Sequence, residues 1–329
     1  MDYALTNNNI LEALNKALVK ETNLIIGDDL LEDFIASLRG TTEATKESYY
    51  KGAKCFIEYC KERGIEEATE TTITNYYNFL IGRIGKPKAE QGLTTNSVNL
   101  YLVALRKLYK YLSKKGIKNL ASDLKSSKTT RNHKKDALTK AQALDLLNSI
   151  DRTTDEGKRN YALITLLIYT GLRTIEVERA NIEDLRTLGT KQLLQVQGKG
   201  HHEKDDYIKL TSVVYDALLE YLNTRKNIKP SDPLFISYSD RSNGARLKTR
   251  SIRGIVKEQL KKIGINTTRI SSHSLRHSAI TYALLGGASL QEAQLLARHS
   301  NINTTLIYAH NIDKLNNNYE KTIENYLAE

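Results

Sequence analysis

Apolar residues recur at helical spacing along most of the chain. Four such patterns lie between residues 28 and 116: "DDLLEDFIASLRG", "TTEATKESYYKGAKCFIEYCKERG", "TTITNYYNFLIGRIG" and "TTNSVNLYLVALRKLYKYLSKKG". Threonines or acids open these patterns, and glycines end them, as at Gly40 and Gly64. The sequence therefore predicts a helical domain over residues 29–122. We expect residues 1–28 to form a polar segment with one weakly amphipathic helix.

A change of composition follows this domain. Residues 125–135, "KSSKTTRNHKK", contain five Lys or Arg, no acid and almost nothing apolar. Such a segment is typical of a basic linker, which we assign to residues 123–137. It serves either as a simple tether or as a strap along a phosphate backbone.

The second half of the chain is again mostly helical, with one exception. "KQLLQVQGKGHHEKDDYIKL" contains two short strand-like runs around a Gly-containing turn, which predicts a β-hairpin. The expected fold class is mainly α with a small antiparallel β-sheet, the second domain covering residues 138–313. A short helix over 314–329 carries Ile323, Tyr326 and Leu327 on one face.

Length, charge and cysteine content indicate two domains, a polyanionic partner and no disulfide. The 329 residues exceed what one hydrophobic core usually supports, which agrees with two domains. The formal charge of +11 favours polyanions, either nucleic acid or an anionic membrane surface. No apolar run is long enough to cross a membrane and no signal peptide is recognisable, so we expect a cytoplasmic protein. Cys55 and Cys60 lie five residues apart, a spacing that suits neither a disulfide nor a zinc motif.

The stretch "SSHSLRHSAITYALLGGASLQEAQLLARHSNINTTLIYAH" holds four of the seven histidines. A metal site is one interpretation, because His273 and His277 stand at i and i+4. Ser274, however, occupies the place of the glutamate in the zinc-protease pattern, and no Asp, Glu or Cys nearby offers a third ligand. We therefore expect no metal.

A helix-turn-helix DNA reader is the second interpretation. "HSAITYALL" and "LQEAQLLARHS" are two helical patterns joined by the turn "GGAS". The second helix offers few side chains suited to base edges, and its leucines and alanines indicate a buried face. A simple reader also leaves the flanking histidines, Arg276 and Tyr308 unexplained.

Phosphate chemistry is the third interpretation. His273 and Arg276 share one helix face, His299 closes the next helix, and Tyr308 follows nine residues later. A phenol attacks a phosphodiester only when nearby donors stabilise the developing charge. Further cations are therefore required.

Upstream motifs supply these cations. "YTGLRTIEVERANIEDL" places Arg173 at a helix start, with Glu176 three residues on to hold it. "QGKGHHEKDDYIKL" places Lys199 between two glycines at the hairpin turn, from which a flexible amine can reach inward.

With these motifs in order, the chain resembles the tyrosine recombinases, or phage integrase family. The motifs are "TGLRTIEV", "GKG", "HSLRH" and "LARHSNINTTLIYAH". The resemblance covers residues 160–312, and residues 29–122 are similar to the family's helical core-binding domain in pattern only. The catalytic positions that match the family in order and spacing are Arg173, Lys199, His273, Arg276, His299 and Tyr308.

The resemblance implies a mechanism. Arg173 and Arg276 bracket the non-bridging oxygens of the scissile phosphate. Tyr308 attacks it, which forms a 3′-phosphotyrosyl link and releases a 5′-hydroxyl. Lys199 donates the proton to that leaving oxygen. No metal and no nucleotide cofactor is implied, because the phosphotyrosyl bond keeps the energy for rejoining.

The remaining roles also follow from the resemblance. His273 manages the tyrosine proton, His299 donates a hydrogen bond to the phosphate, and Glu176 supports Arg173. His277 and His310 are expected to be structural.

Three positions depart from the family pattern. Arg298 stands where the family often has glycine, which puts bulk beside the site without removing a catalytic group. His201 and His202 beside the hairpin turn are untypical, and Lys204 is a second candidate for the acid assigned to Lys199.

The resemblance implies double-stranded DNA with a specific target site as substrate. It also implies a homo-oligomer, with a dimer on each site, a tetramer in the synapse, and a C-terminal helix that docks on a neighbouring copy. The predicted DNA-contacting cations are Arg106, Lys107, Lys110, Lys125, Lys128, Arg131, Lys134 and Lys135. Only about 28 residues precede the first helical domain, which indicates a two-domain recombinase. A DNA-binding regulator with an idle site and a type IB-like topoisomerase are the alternatives.

Overall fold

The computed structural model describes residues 28–127, 136–198, 203–316 and 319–328. The chain divides into two compact units, Met1–Arg131 and Asn132–Glu329. Within the described ranges, no helix combines the length and the apolar character that crossing a bilayer requires.

Over its described residues, 28–127, the first unit is built from four helices. They are α1 Asp28–Ala36, α2 Glu43–Glu62, α3 Glu70–Ile81 and α4 Thr95–Ser113, with a 3-10 turn at Lys88–Glu90. Local chemistry sets their starts: the Thr69 hydroxyl accepts a hydrogen bond from the backbone N–H of Thr72 at the start of α3, and Thr94 does the same for Ser97 at the start of α4.

Helices α2 and α4 pack closely around a small residue. A Cβ atom on Gly52 would lie 2.6 Å from the Cβ of Ala104, so no larger side chain fits there without movement. Around this contact, aromatic rings fill the core, with the centroids of Phe56 and Tyr76 5.0 Å apart. The apolar spacing along α4 predicted its buried face, which includes Leu102 and Leu105.

The chain that leaves α4 is held against that helix. Arg106 donates hydrogen bonds to the carbonyl oxygen of Leu124 at 2.8 Å and to the hydroxyl of Ser126 at 3.0 Å. The Asn99 amide both donates to and accepts from the backbone of Ser127. These contacts fix the path of the segment up to residue 127.

The second unit begins with α5 Lys140–Asn148, α6 Asp155–Thr170 and α7 Thr174–Arg179, followed by a 3-10 turn at Ile182–Asp184. The strands are β1 Leu185–Leu188, β2 Lys191–Val196 and β3 Asp206–Leu210. The later helices are α8 Ser212–Leu222, α9 Thr249–Lys262, α10 Ser272–Leu285, α11 Leu290–Ala297, α12 Ile302–Asn316 and α13 Tyr319–Ala328.

The three strands form one antiparallel sheet in the order β1-β2-β3, with Leu194 of β2 opposite Leu185 and Ile208. The mainly helical class with a small antiparallel sheet is therefore confirmed. The sequence predicted the pairing of β2 with β3 but missed β1. Three of the four residues of β1 are exposed, so its pattern carries no apolar alternation.

Helix α6 is the central element of the second unit. It is buried along most of its length, including Leu163, Leu166 and Leu167, which explains its nearly continuous apolar sequence. Its C-terminal end, together with α7, α10, α11 and α12, holds the candidate site.

Candidate active site

Arg173 is positioned by the way α6 ends. Gly171 terminates this helix in the left-handed conformation, with φ at 61°, and its N–H donates to the carbonyl oxygen of Leu167. A Cβ atom on Gly171 would lie 3.3 Å from the Cβ of Ala279 on α10, so glycine also allows a close approach there. Two residues later, Arg173 caps the N-terminus of α7.

Glu176 fixes Arg173 at two points. One carboxylate oxygen accepts from the backbone N–H of Arg173 at 2.7 Å, and the other accepts from its guanidinium at 2.8 Å. The Glu176 side chain is fully buried, whereas 27% of the Arg173 side chain is exposed. Arg173 therefore keeps part of its side chain accessible while Glu176 holds both its backbone and its guanidinium.

A second arginine shares the same carboxylate. Arg298 donates to Oε2 of Glu176 at 3.0 Å, and the carbonyl oxygen of Arg298 accepts from the guanidinium of Arg173 at 3.3 Å. Burial acts to raise the pKa of Glu176, but Arg298 and then Arg173 outweigh it, so that this pKa lies below its ordinary value. Glu176 is thus ionised at neutral pH.

Arg298 occupies a conformation that favours glycine. It ends α11 with φ at 50° and ψ at 49°, in the left-handed region. This geometry explains why glycine suits the position, and the ion pair with Glu176 gives the arginine a compensating contact. Its Nε atom is buried without a hydrogen-bond partner.

Arg276 is buried deeper, at 2% exposure. It lies on α10 and donates to the carbonyl oxygens of Gly171, at 2.5 Å, and of Ala297. Burial, and then the charges of Arg173 and Arg298, lower the pKa of Arg276 to about 9. The group stays charged at neutral pH, in a site with more cations than anions, which favours an anionic ligand.

Tyr308 lies on α12 and is 5% exposed. Its ring packs in an apolar cluster with Ile280, Ala293 and Ala297, which is why the second helix of the suspected DNA reader has an alanine-rich face. Burial raises the pKa of Tyr308 to about 12, although Arg276 and Arg173 act to lower it. The phenol is therefore within the electrostatic influence of both predicted phosphate-binding arginines.

The Tyr308 hydroxyl is in hydrogen-bond contact with Nδ1 of His277, on α10. The two ring centroids are 5.3 Å apart. His277 is 5% exposed and had been expected to be structural. His273, expected to manage the tyrosine proton, lies exposed in the first turn of α10, with its ring against that of His277 at a centroid distance of 4.6 Å.

His299 is oriented by neighbours that sequence patterns do not single out. Its Nδ1 lies 2.9 Å from the hydroxyl of Thr305, which is fully buried. Its carbonyl oxygen accepts from the Gln294 side chain at 2.9 Å. The His299 ring is nearly parallel to that of Tyr308, with centroids 6.4 Å apart.

Of the two candidate lysines, Lys204 is among the described residues and Lys199 is not. Lys199 lies outside the described residues, as do His201 and His202. Lys204 contacts both carboxylate oxygens of Asp184, at 2.8 and 2.6 Å, and Asp184 is itself buried. This pairing gives Lys204 a structural contact.

The predicted DNA-contacting cations also divide into groups. Arg106 is occupied with the backbone that follows α4, whereas Lys107, Lys110 and Lys125 are exposed. The other four, Lys128, Arg131, Lys134 and Lys135, lie outside the described residues. Across the described ranges, no three His, Cys, Asp or Glu side chains are grouped so as to hold a metal ion.

Sequence reasoning missed the contacts of three side chains at this site: those of His277, Thr305 and Arg298. One clue was present, because His277 is four residues from His273 and directly follows Arg276. Nothing local marks Thr305 as the partner of His299.

Known proteins match both units. The model of the phage integrase family matches residues 136–314, and the model of the phage integrase N-terminal SAM-like domain matches residues 30–119. The tyrosine recombinase XerA of Pyrococcus horikoshii is 30% identical over 293 residues, which cover 88% of this chain and 92% of that protein. The tyrosine recombinase XerC of Caldanaerobacter subterraneus is 33% identical over 215 residues, 64% of this chain and 57% of the relative.

Solved structures agree on the fold. The XerH site-specific recombinase, in a post-cleavage complex with its palindromic difH substrate, superposes with a TM-score of 0.67 at 20% identity, covering 88% of this chain and 84% of that one. The two family matches and the relative that aligns over nearly its full length show that the chain belongs to the phage integrase family and is a tyrosine recombinase.

Proposed function

We propose that this recombinase cleaves and rejoins double-stranded DNA at a specific target site, with Tyr308 as the nucleophile. The assignment of Tyr308 as the nucleophile rests on the residues that surround its phenol. Tyr308 is buried between two histidines, under the electrostatic influence of Arg276 and Arg173. A packing tyrosine needs no such surroundings.

The arginines bind the scissile phosphate. Arg173 has a partly exposed side chain whose guanidinium is held by Glu176, and Arg276 is held by two carbonyl oxygens. Both remain charged while the phosphorane forms, so the site stabilises the developing charge without reorganising. His299, oriented by Thr305, adds a hydrogen-bond donor to the phosphate.

The covalent step combines these residues with Lys199, which the family pattern assigns as the acid and which lies outside the described residues. The Tyr308 hydroxyl gives up its proton to a histidine of the site as its oxygen bonds to phosphorus at the 3′ side, the bond from phosphorus to the 5′ oxygen breaks, and Lys199 gives its proton to the leaving oxygen. Rejoining reverses each transfer, with a 5′-hydroxyl from the partner strand as the attacking group. No external energy source is required, because one phosphodiester is exchanged for another.

Assembly completes the proposal. Ile323, Tyr326 and Leu327 on α13 are 60%, 78% and 77% exposed, an apolar face that suits docking on a second copy of this chain. A dimer on each target site and a tetramer in the synapse would couple this docking to strand exchange. The basic residues of the first unit and the linker would grip the DNA backbone, and the location that we propose is the cytoplasm.

Covalent capture tests the proposal. The protein is incubated with a library of random-sequence DNA duplexes and denatured in SDS, and the DNA that stays attached is recovered and sequenced. Wild type should retain DNA with a shared sequence, and Tyr308→Phe should retain none. Tyr215→Phe is the matched control, because Tyr215 is a partly buried tyrosine of α8 packed against the core of the same unit. Retention by Tyr308→Phe would refute the assignment. Retention without any shared sequence would indicate a topoisomerase.

A further inference from the structure

His277, which forms a hydrogen bond with Tyr308, is not one of the six catalytic positions assigned above. His277 Nδ1 contacts the hydroxyl oxygen that would attack phosphorus. The contact joins α12 to α10, and both side chains are 5% exposed. Bulk water is therefore largely kept from the phenol, and the protein must supply the group that takes its proton.

A proton acceptor is required, because a protonated phenol is a weak nucleophile. Burial raises the pKa of Tyr308 to about 12, far above neutral pH, despite the opposing effect of the two arginines. Arginine cannot accept the proton, since its guanidinium is already protonated. The described side chains around Tyr308 that can accept one are the histidines.

The three histidines are placed differently. His299 stacks at 6.4 Å from the Tyr308 ring, and its Nδ1 is engaged with Thr305. His273 is exposed, and its ring lies against His277. His277 has a ring nitrogen in contact with the phenolic oxygen. When this nitrogen accepts the hydrogen bond, the neutral ring carries its own proton on Nε2.

We propose that His277 is a further catalytic residue, which accepts the proton of Tyr308 through Nδ1 as the phosphotyrosyl bond forms. This inference rests on the proposed function, in which Tyr308 is the nucleophile. The proton balance is complete: the phenolic proton moves to His277, and the 5′ oxygen receives its proton from Lys199. During rejoining His277 returns its proton to Tyr308. His273, with its exposed position, is then left to contact the DNA.

Two substitutions separate proton transfer from simple packing. His277→Asn places an amide oxygen near the position of Nδ1, so it can accept the hydrogen bond but not the proton. His277→Leu removes both abilities. His310→Asn is the control, because His310 is an exposed histidine on α12. Thermal unfolding and non-covalent binding of the same duplex identify any variant that fails to fold. If His277→Leu does not fold, the milder change His277→Asn still allows the test.

The substrate is the duplex recovered by covalent capture with wild type, made in two forms. One has the natural bridging 5′ oxygen at the cleaved phosphate, and the other has sulfur there. A thiolate leaves without protonation, because its pKa is far lower than that of an alcohol. The sulfur form should restore cleavage by Lys199→Ala, which lacks the leaving-group acid. It should not restore cleavage by a variant that lacks the nucleophile's base.

The expected result is a loss of about 10²- to 10⁴-fold in the cleavage rate of His277→Asn and His277→Leu on both substrates, the usual contribution of general acid–base catalysis. Rates of His277→Asn within threefold of wild type would overturn the proposal, whatever the leucine variant does. Recovery of His277→Asn on the sulfur substrate would also overturn it, since His277 would then act on the leaving group. These failures are distinct from failure of the proposed function, which would show as retained covalent DNA in Tyr308→Phe.

Discussion

The guanidinium of Arg298 lies 3.0 Å from Oε2 of Glu176, within a site whose other arginines are predicted to hold phosphate. This contact spans 122 residues of sequence. The ion pair gives Arg298 a favourable contact in a left-handed backbone conformation, which is strained for residues other than glycine.

Two substitutions of Arg298 isolate this backbone strain. Arg298→Gly and Arg298→Ala both lose the ion pair with Glu176, so their difference reports on φ at this position. We expect the glycine variant to be more stable by about 1 kcal/mol, because glycine alone adopts the left-handed region without steric cost. Urea unfolding of the two variants measures the difference. Equal stability would mean that the α11 terminus relaxes to a different conformation.

Glu176 should contribute a pH-dependent part of the stability. Its pKa in the folded protein lies below the ordinary value of 4.5, so the unfolded chain binds more protons between these two pKa values. The stabilisation is fully present above 4.5 and is lost as pH falls through the lowered pKa. We expect Glu176→Gln to unfold at a lower temperature than wild type at pH 7, and this gap to close in acid. A gap that is independent of pH would contradict this assignment, and Glu258→Gln, an exposed residue on α9, is the control.

Thr305 should affect catalysis only through His299. Thr305→Val keeps the shape of the buried side chain but removes the hydroxyl that lies 2.9 Å from His299 Nδ1. We expect the cleavage rate to fall roughly fivefold, the equivalent of about 1 kcal/mol for one lost hydrogen bond, while DNA affinity is kept. Thr305→Ser should retain the wild-type rate. If the serine variant is as slow as the valine variant, the methyl group rather than the hydroxyl matters.

Lys204 should prove structural. Lys204→Met removes the partner of the buried Asp184 carboxylate, and we expect a loss of roughly 1–3 kcal/mol in the free energy of unfolding, because a buried acceptor is left unsatisfied. The cleavage rates on the oxygen and sulfur substrates should fall equally, if at all. Lys209→Met, which changes an exposed lysine on β3, controls for loss of surface charge. Restoration of Lys204→Met by the sulfur substrate alone would instead identify Lys204 as the leaving-group acid.

Gly52 should be essential to the packing of the first unit. In Gly52→Ala the new methyl group would lie 2.6 Å from Ala104 Cβ, and helices α2 and α4 must separate to admit it. We expect a loss of about 1–3 kcal/mol, typical of an overpacked core. Gly254→Ala on α9 is the matched control, because nothing lies within 4 Å of its added methyl group. Chemical unfolding of both variants against wild type measures the effect, and equal stability of all three would contradict the packing.

Local patterns sufficed for much of the fold and of the site. The apolar spacing along α4 predicted the face that this helix buries, because a helix that packs on a core must repeat its apolar residues at the helical period. The nearly continuous apolar sequence of α6 predicted a helix but no single face, and this helix is buried along most of its length. The pairing of Arg173 with Glu176 was also predictable, since residues three apart at a helix start are neighbours whatever the rest of the chain does. Strand β1 was not predicted, because most of its residues are exposed and its sequence therefore shows no alternation of apolar and polar residues.

The sequence by itself determined the helical class, the order of the predicted catalytic positions and the likeness to the tyrosine recombinases. Only the tertiary structure decided which side chain contacts the Tyr308 hydroxyl. His277 is 31 residues away in sequence and reaches the phenol because α10 and α12 pack around α11. The same holds for Arg298 and Glu176, and for Arg106, which binds the chain that follows α4. Such contacts depend on how helices cross, and helical periodicity specifies the face that each helix buries but not the residue that it meets there.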